Sequence, residues 1–212
     1  MWYKQVIFEF FKGGGVVQHV LHEVSREDAW RNYVGFFRDY RFFERSSVID
    51  VYKCLCTSRQ DLLLEYRQMR KDLFEAIDGY GLRIVYVDEI APVRAPRFLN
   101  EINPGAQYLH EERTILCRND LKKSAYLFLH EFAHALDIDL RDGNLHKFSP
   151  SNTELIASAA TYLFNSQKFQ HYCTLLDFFV GYAIEWGAKY EDLEEVREQV
   201  FLVANKIQEF FE

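Results

Sequence analysis

The chain has no excess of positive charge. Its 212 residues carry 25 Lys and Arg against 32 Asp and Glu, a net charge of −7. That excludes a nucleic-acid partner bound through overall charge, because phosphate contacts need a basic surface. Glycine (10) and proline (4) are scarce, which excludes collagen-like, low-complexity and linker classes. The four cysteines, Cys54, Cys56, Cys117 and Cys173, are too few and too scattered for a disulfide framework. Cys54-x-Cys56 has the wrong gap for a zinc knuckle, so the four read as free thiols serving as small hydrophobes. The opening residues MWYKQVIFEFF lack the basic start, apolar run and small-residue cleavage site of a secretory signal. No segment approaches the ~18–20 apolar residues that cross a bilayer; the best, TLLDFFVGYAIEW, is interrupted by Asp177 and Glu185. The expectation is a soluble, cytoplasmic protein with neither a membrane nor a nucleic acid as partner. Aromatics, by contrast, are abundant: 19 Phe and 13 Tyr help to make 17% of the chain aromatic, enough to fill a large core and incompatible with a disordered tail.

The chain is expected to be α+β, because β-prone runs come early and helical periodicity comes late. Residues 1–57 read as one α+β unit. Tyr3–Phe11 and Val16–Val24 flank the Gly13–Gly15 turn signal, and Ser25-Arg-Glu-Asp28 has the form of a capping box opening a helix to about Arg45. Ser47 to Thr57 then alternates like a strand. His19 and His22 lie three apart in a strand-like run, on opposite faces, and make a poor metal pair. From residue 58 onward a second unit begins with a helix ending near Gly79-Tyr-Gly81. Leu82–Glu89 follows as a strand, and a loop holds Pro92, Pro96 and Pro104. A hairpin is expected from Gln107–His110 and Thr114–Arg118, then helices near Leu121–Ile138, Asn152–Ser166, Phe169–Trp186 and Tyr190–Phe211. The last of these should turn Glu191, Asp192, Glu194, Glu195 and Glu198 to solvent and pack on its apolar side. The boundaries expected are therefore 1–57 for an N-terminal lobe and 58–212 for the main domain.

One segment carries chemistry: Tyr126-Leu-Phe-Leu-His130-Glu131-Phe-Ala-His134-Ala-Leu-Asp137. On an α-helix His130 and His134 are one turn apart and project from the same face, so two imidazoles can grip one zinc ion. Glu131 points ~100° further round. It falls short of the metal but within reach of a water bound to it, whose pKa zinc lowers to roughly 7. That places Glu131 as a general base. The flanking residues Leu127, Phe128, Leu129, Phe132, Ala133 and Leu136 are apolar, so the three polar side chains are expected to be buried.

A catalytic zinc site needs a third protein ligand. Glu154 stands twenty residues after His134. Ala157, Ser158 and Thr161 follow it at helical spacing, small side chains that let its helix approach the histidine helix closely. His146, Asp137, Asp139 and Asp142 are competing positions. The metzincin pattern is excluded, because it needs glycine at position 137 and histidine at position 140, where this chain has Asp137 and Leu140. Asp137 lies ~20° off the direction of His130 and a turn beyond His134. It is expected to accept a hydrogen bond from a ligand imidazole or to anchor the loop below.

His130-Glu131-Phe-Ala-His134, followed by a helix with Glu154-Leu-Ile-Ala157-Ser-Ala-Ala-Thr-Tyr-Leu-Phe, resembles the gluzincin metallopeptidases. It is similar to their anthrax-lethal-factor-like, MtfA-like and ImmA/IrrE-like branches over about residues 82–168; residues 1–80 carry no such likeness. The resemblance implies a zincin-like core, a Zn2+ cofactor held by His130, His134 and Glu154, Glu131 as general base, and a peptide or protein substrate. Lethal-factor-like enzymes usually place an oxyanion-stabilising tyrosine seven residues before the ligand glutamate, where this chain has Lys147. His146, Tyr108, His110 and Tyr162 are the substitutes to consider. The family also usually sets a substrate-binding edge strand just before the metal helix, which here would be Thr114, Ile115, Leu116 and Cys117, pairing with an extended peptide. The function expected is zinc-dependent peptide hydrolysis. The rival readings are a non-catalytic interaction protein that keeps the metal frame and a helical domain with no metal.

Overall fold

The computed structural model describes residues 25–39, 60–94, 101–102, 104–122, 124–168 and 175–212. The strands expected at 3–11, 16–24 and 47–57 lie outside these residues. Within them the chain is α+β, with six α-helices: α1 Arg26–Asp39, α2 Gln60–Gly79, α3 Ala125–Leu140, α4 Pro150–Lys168, α5 Leu175–Glu185 and α6 Asp192–Glu209. A three-stranded sheet is built from β1 Arg83–Val87, β4 Ala106–Leu109 and β5 Thr114–Arg118 in the order β1-β5-β4. A short ribbon, β2 Val93–Arg94 with β3 Glu101–Ile102, lies between β1 and β4 in sequence. None of the helices among the described residues is long and apolar enough to cross a membrane.

Local signals explain the helix boundaries. Ser25 caps α1: the Asp28 N–H donates to its Oγ at 3.1 Å, and the Oγ–H donates back to Asp28 Oδ2 at 2.6 Å. The expected start of α4 near Asn152 moves back to Pro150, because the Asn152 N–H donates to Ser149 Oγ at 3.1 Å. Ser149 is thus the cap and Pro150 the first helical residue, where proline's missing N–H costs nothing. At the end of α3 the Gly143 N–H reaches Ile138 O at 3.0 Å and the Asp142 N–H reaches Asp139 O at 3.0 Å. That is a Schellman ending with Asp142 in the left-handed conformation at φ 53°. It turns the chain sharply from α3 into the loop that leads to α4.

The helix α3 runs through the middle of the molecule. Every residue from Ala125 to Ile138 except Leu127 is buried, as a helix apolar on all sides must be. It packs on β4 and β5 on one side and on α2, α4 and α6 elsewhere. Phe128 sits 4.9 Å from Phe74 of α2, and Phe132 sits 5.6 Å from Tyr80 and 5.4 Å from Phe210, ring centre to ring centre. The α1 helix shares this core: Trp30 meets Phe201 of α6 and Tyr33 meets Tyr162 of α4. As expected, α6 turns Glu194, Glu195 and Glu198 outward and buries Leu193, Val196, Val200, Val203 and Ile207.

In the sheet, β5 pairs with β1 in parallel and with β4 antiparallel. This overturns the expectation that Thr114, Ile115, Leu116 and Cys117 form an edge strand. Both sides of β5 are taken by neighbours, so no added peptide can pair with it. Among the described residues, the sheet edge beside α3 that has no partner strand is that of β4.

Candidate metal centre

Burial of α3 forces the question of its polar residues. His130 is 6%, Glu131 7% and His134 9% exposed, and polar groups so placed must be partnered or bound to something. The two histidines sit one turn apart on the face turned toward α4, and Glu154, in the second turn of α4, reaches across to them. His130 Nε2 lies 3.1 Å from His134 Nε2. Glu154 Oε2 lies 3.2 Å from the first and 3.4 Å from the second. The small residues Ala157, Ser158 and Thr161 are all fully buried, which allows the close approach of α4 that these distances require.

Three donors around one tetrahedral zinc, each ~2.0–2.1 Å from it, lie about 3.3–3.4 Å apart. The observed triangle, with sides of 3.1, 3.2 and 3.4 Å, has these dimensions. His130, His134 and Glu154 therefore form a group that can hold a metal ion, and the donor set fits a borderline cation such as zinc. His146, Asp139 and Asp142 are not part of it. Electrostatics point the same way. Burial works against a charged His134, but the carboxylates of Glu154, Glu131 and Asp137 together outweigh it and hold the imidazole pKa up at about 9. Burial likewise opposes ionisation of Glu154, but the two imidazoles hold its carboxyl down at about 2. The site is built to pair Glu154 with positive charge.

Glu131 faces the sheet. Its Oε2 accepts the Tyr108 main-chain N–H at 2.8 Å. The Arg118 N–H donates to Gly105 O at 3.0 Å, so alternation along the antiparallel pair turns residues 105, 107 and 109 toward β5 and leaves Ala106 and Tyr108 facing outward. The Tyr108 N–H is thus free of the ladder and fixes Glu131 against the open edge. Burial pushes the Glu131 pKa up, against the pull of His130 and His134.

Asp137 is fully buried, and its contacts run to the turn after α3 and to α6. Its Oδ2 pairs with the Arg141 guanidinium. The Arg141 Nε also donates to Asp137 O at 3.2 Å and its NH1 donates to Asn144 O at 3.4 Å. From α6, Gln199 Nε2 donates to Asp137 Oδ1 at 2.9 Å. Asp137 thus anchors the loop after α3 and ties α3 to α6.

The remaining candidates are dispersed. Tyr162 packs against Tyr33 at 5.7 Å in the helical core. The Tyr108 ring lies where the charges of Arg113 and Asp139 act on it, and His110 stands 6.3 Å from that ring. His146 is exposed in the loop after α3, and Lys147 is exposed with its Nζ 5.3 Å from the Phe148 ring. The structure adds a neighbour the sequence did not single out: Tyr182 of α5, whose ring lies 5.5 Å from that of His130. Only long-range packing brings it there. Gln199 was also missed, although a glutamine between Val196 and Val200 on the apolar stripe of α6 is a readable signal of a buried polar contact.

The chain matches no protein-family model, no curated protein and no solved structure. The chemistry of the centre stands on its donor set.

Proposed function

We propose that this chain is a zinc-dependent peptidase of gluzincin type with a zincin-like core, acting on a peptide or protein substrate. The observation that carries the proposal is the donor triangle of His130, His134 and Glu154, with sides of 3.1 to 3.4 Å, beside a buried carboxylate one residue along the same helix. Zinc bound there supplies a Lewis acid for a carbonyl oxygen and lowers the pKa of water to roughly 7. His130 and His134 would hold the zinc through Nε2 and Glu154 through Oε2. Glu131, steadied at Oε2 by the Tyr108 N–H, takes a proton from the attacking water at its other oxygen, Oε1, and returns it to the leaving amine. The outward-facing edge of β4, with the main-chain groups of Ala106 and the Tyr108 carbonyl beside Glu131, takes over the substrate-aligning role first given to β5: an extended peptide adds there as a further strand.

A second reading, a non-catalytic protein that keeps the metal, is favoured by one observation. Lys147 stands where lethal-factor-like enzymes, which the motif resembles, usually carry an oxyanion-binding tyrosine, and its side chain turns to Phe148. The Glu131→Gln variant separates the two. Peptidase activity, assayed on a mixed peptide library, should fall by ~10²–10⁴-fold with zinc content unchanged. Cleavage equal to wild type would refute Glu131 as the base, and zinc binding without cleavage by the wild-type chain would favour the second reading.

A further inference from the structure

The face of α4 that presents Glu154 to the histidines does not become apolar beyond it. On an ideal helix Ser158, Thr161 and Asn165 all fall within ~40° of the direction of Glu154, and they extend the stripe ~16 Å along the axis. Each is buried, at 0%, 0% and 2% exposure. Ser158 Oγ, Thr161 Oγ1 and both Asn165 Oδ1 and Nδ2 have no hydrogen-bond partner among the described residues. In the neighbouring α1–α4 packing the hydroxyl of Tyr33 is in the same condition, on a ring 5.7 Å from that of Tyr162, the residue after Thr161. Burial pushes the Tyr33 pKa upward, so this hydroxyl keeps its proton and remains a donor. Five buried polar atoms left unpaired, at about 1–3 kcal/mol each, would cost as much as the whole net stability of a typical domain. They must have a ligand.

Their chemistry says which. The stripe is uncharged apart from Glu154 at its head, so it offers an ion no compensation. It mixes donors and acceptors, so its ligand must both give and accept hydrogen bonds. At 0–2% exposure it is shut off from bulky solutes. We propose that Ser158, Thr161 and Asn165, aligned behind Glu154 on the buried face of α4, form an internal water-binding site. Its water file runs from the metal-binding carboxylate into the helical core. Water of this kind makes two to four hydrogen bonds to otherwise unsatisfied groups and is costly to remove. At the Ser158 end it would hydrogen-bond the carboxylate of Glu154 and steady its orientation toward the histidines. The site does not depend on the peptidase reading.

A high-resolution crystal structure of the full chain tests it directly, with thermal and urea unfolding of Thr161→Val. The wild-type crystal should show ordered water bonded to Thr161 Oγ1 and Asn165. The variant, equal in shape but unable to hold water, should lose a water molecule and roughly fivefold to thirtyfold in its folding equilibrium constant. A dry face in the wild-type crystal, or a Thr161→Val protein as stable as wild type or more so, would overturn the proposal. Should that variant fail to fold, Ser158→Ala and water-to-protein nuclear Overhauser contacts in the wild-type chain decide the matter in the same two directions.

Discussion

Replacing Arg141 by methionine removes the cation from the most buried ion pair among the described residues. Its side chain is 1% exposed and that of its partner Asp137 is 0% exposed. With the guanidinium gone, the Asp137 carboxylate keeps only the Gln199 amide, at 2.9 Å, and is left as an uncompensated charge. Breaking a buried pair from one side costs about 3–5 kcal/mol. At ~2–4 °C per kcal/mol for a domain of about this length, the melting temperature of Arg141→Met should fall by roughly 6–20 °C. Adding Asp137→Asn removes the stranded charge, so the double variant should recover at least ~1 kcal/mol of the loss, the non-additivity expected of contacting residues. Arg141 also caps α3, and Asp137 lies one turn beyond His134, so loosening this turn should weaken metal binding by the His130–His134 helix. Urea and thermal unfolding of the metal-free variants, followed by circular dichroism, measure the first two effects, and a zinc titration measures the third. If Arg141→Met unfolds within ~1 kcal/mol of wild type, the pair is not the anchor described.

Two further outcomes follow from the environments of single groups. In the metal-free protein Glu154 is held down at about 2 from 4.5 and His134 up at about 9 from 6.5. The Glu154 contribution to stability is complete above pH 4.5 and lost as pH falls toward 2. The His134 contribution is complete below pH 6.5 and lost as pH rises through 9. Melting temperature in chelator should therefore decline from pH 6.5 to 9, and a flat profile there would contradict the pairing. Cys117 is fully buried, with its thiol pushed up to about 11 by burial. Peptide mapping should find it unmodified by iodoacetamide in the folded chain and modified in urea, and labelling without denaturant would be the contrary result.

What the sequence revealed and what it hid divide along physical lines. The histidine helix, the distance to Glu154 and the small residues after it are local signals, and they suffice to bring three donors together. Helix periodicity located α3, α4 and α6 to within a few residues, and the Ser25–Asp28 box caps α1 as its pattern implies. The α4 helix begins two residues before the expected Asn152 because Ser149 caps it, and Ser149-Pro150 is itself a local signal for such a start. Strand order is different in kind. Nothing in the side chains of Thr114–Cys117 distinguishes a central strand from an edge, because that depends on the return of β1 to pair in parallel across the β2–β3 ribbon. The same holds for Tyr182 against His130 and for the Tyr108 main-chain N–H on Glu131, contacts made by groups without local sequence character. Tyr162, eight residues after Glu154, is turned ~80° away from its direction and packs on Tyr33 of α1.

The central claim is that His130, His134 and Glu154 meet at one metal ion. Elemental analysis of the purified full chain, alongside Glu154→Ala, His134→Ala and His146→Ala, tests it most directly. Close to one zinc per chain is predicted for wild type and for the exposed-loop variant His146→Ala, with the metal lost from the other two. A wild-type chain that takes up no zinc even after reconstitution, or a Glu154→Ala chain that holds it as tightly as wild type, would contradict the account.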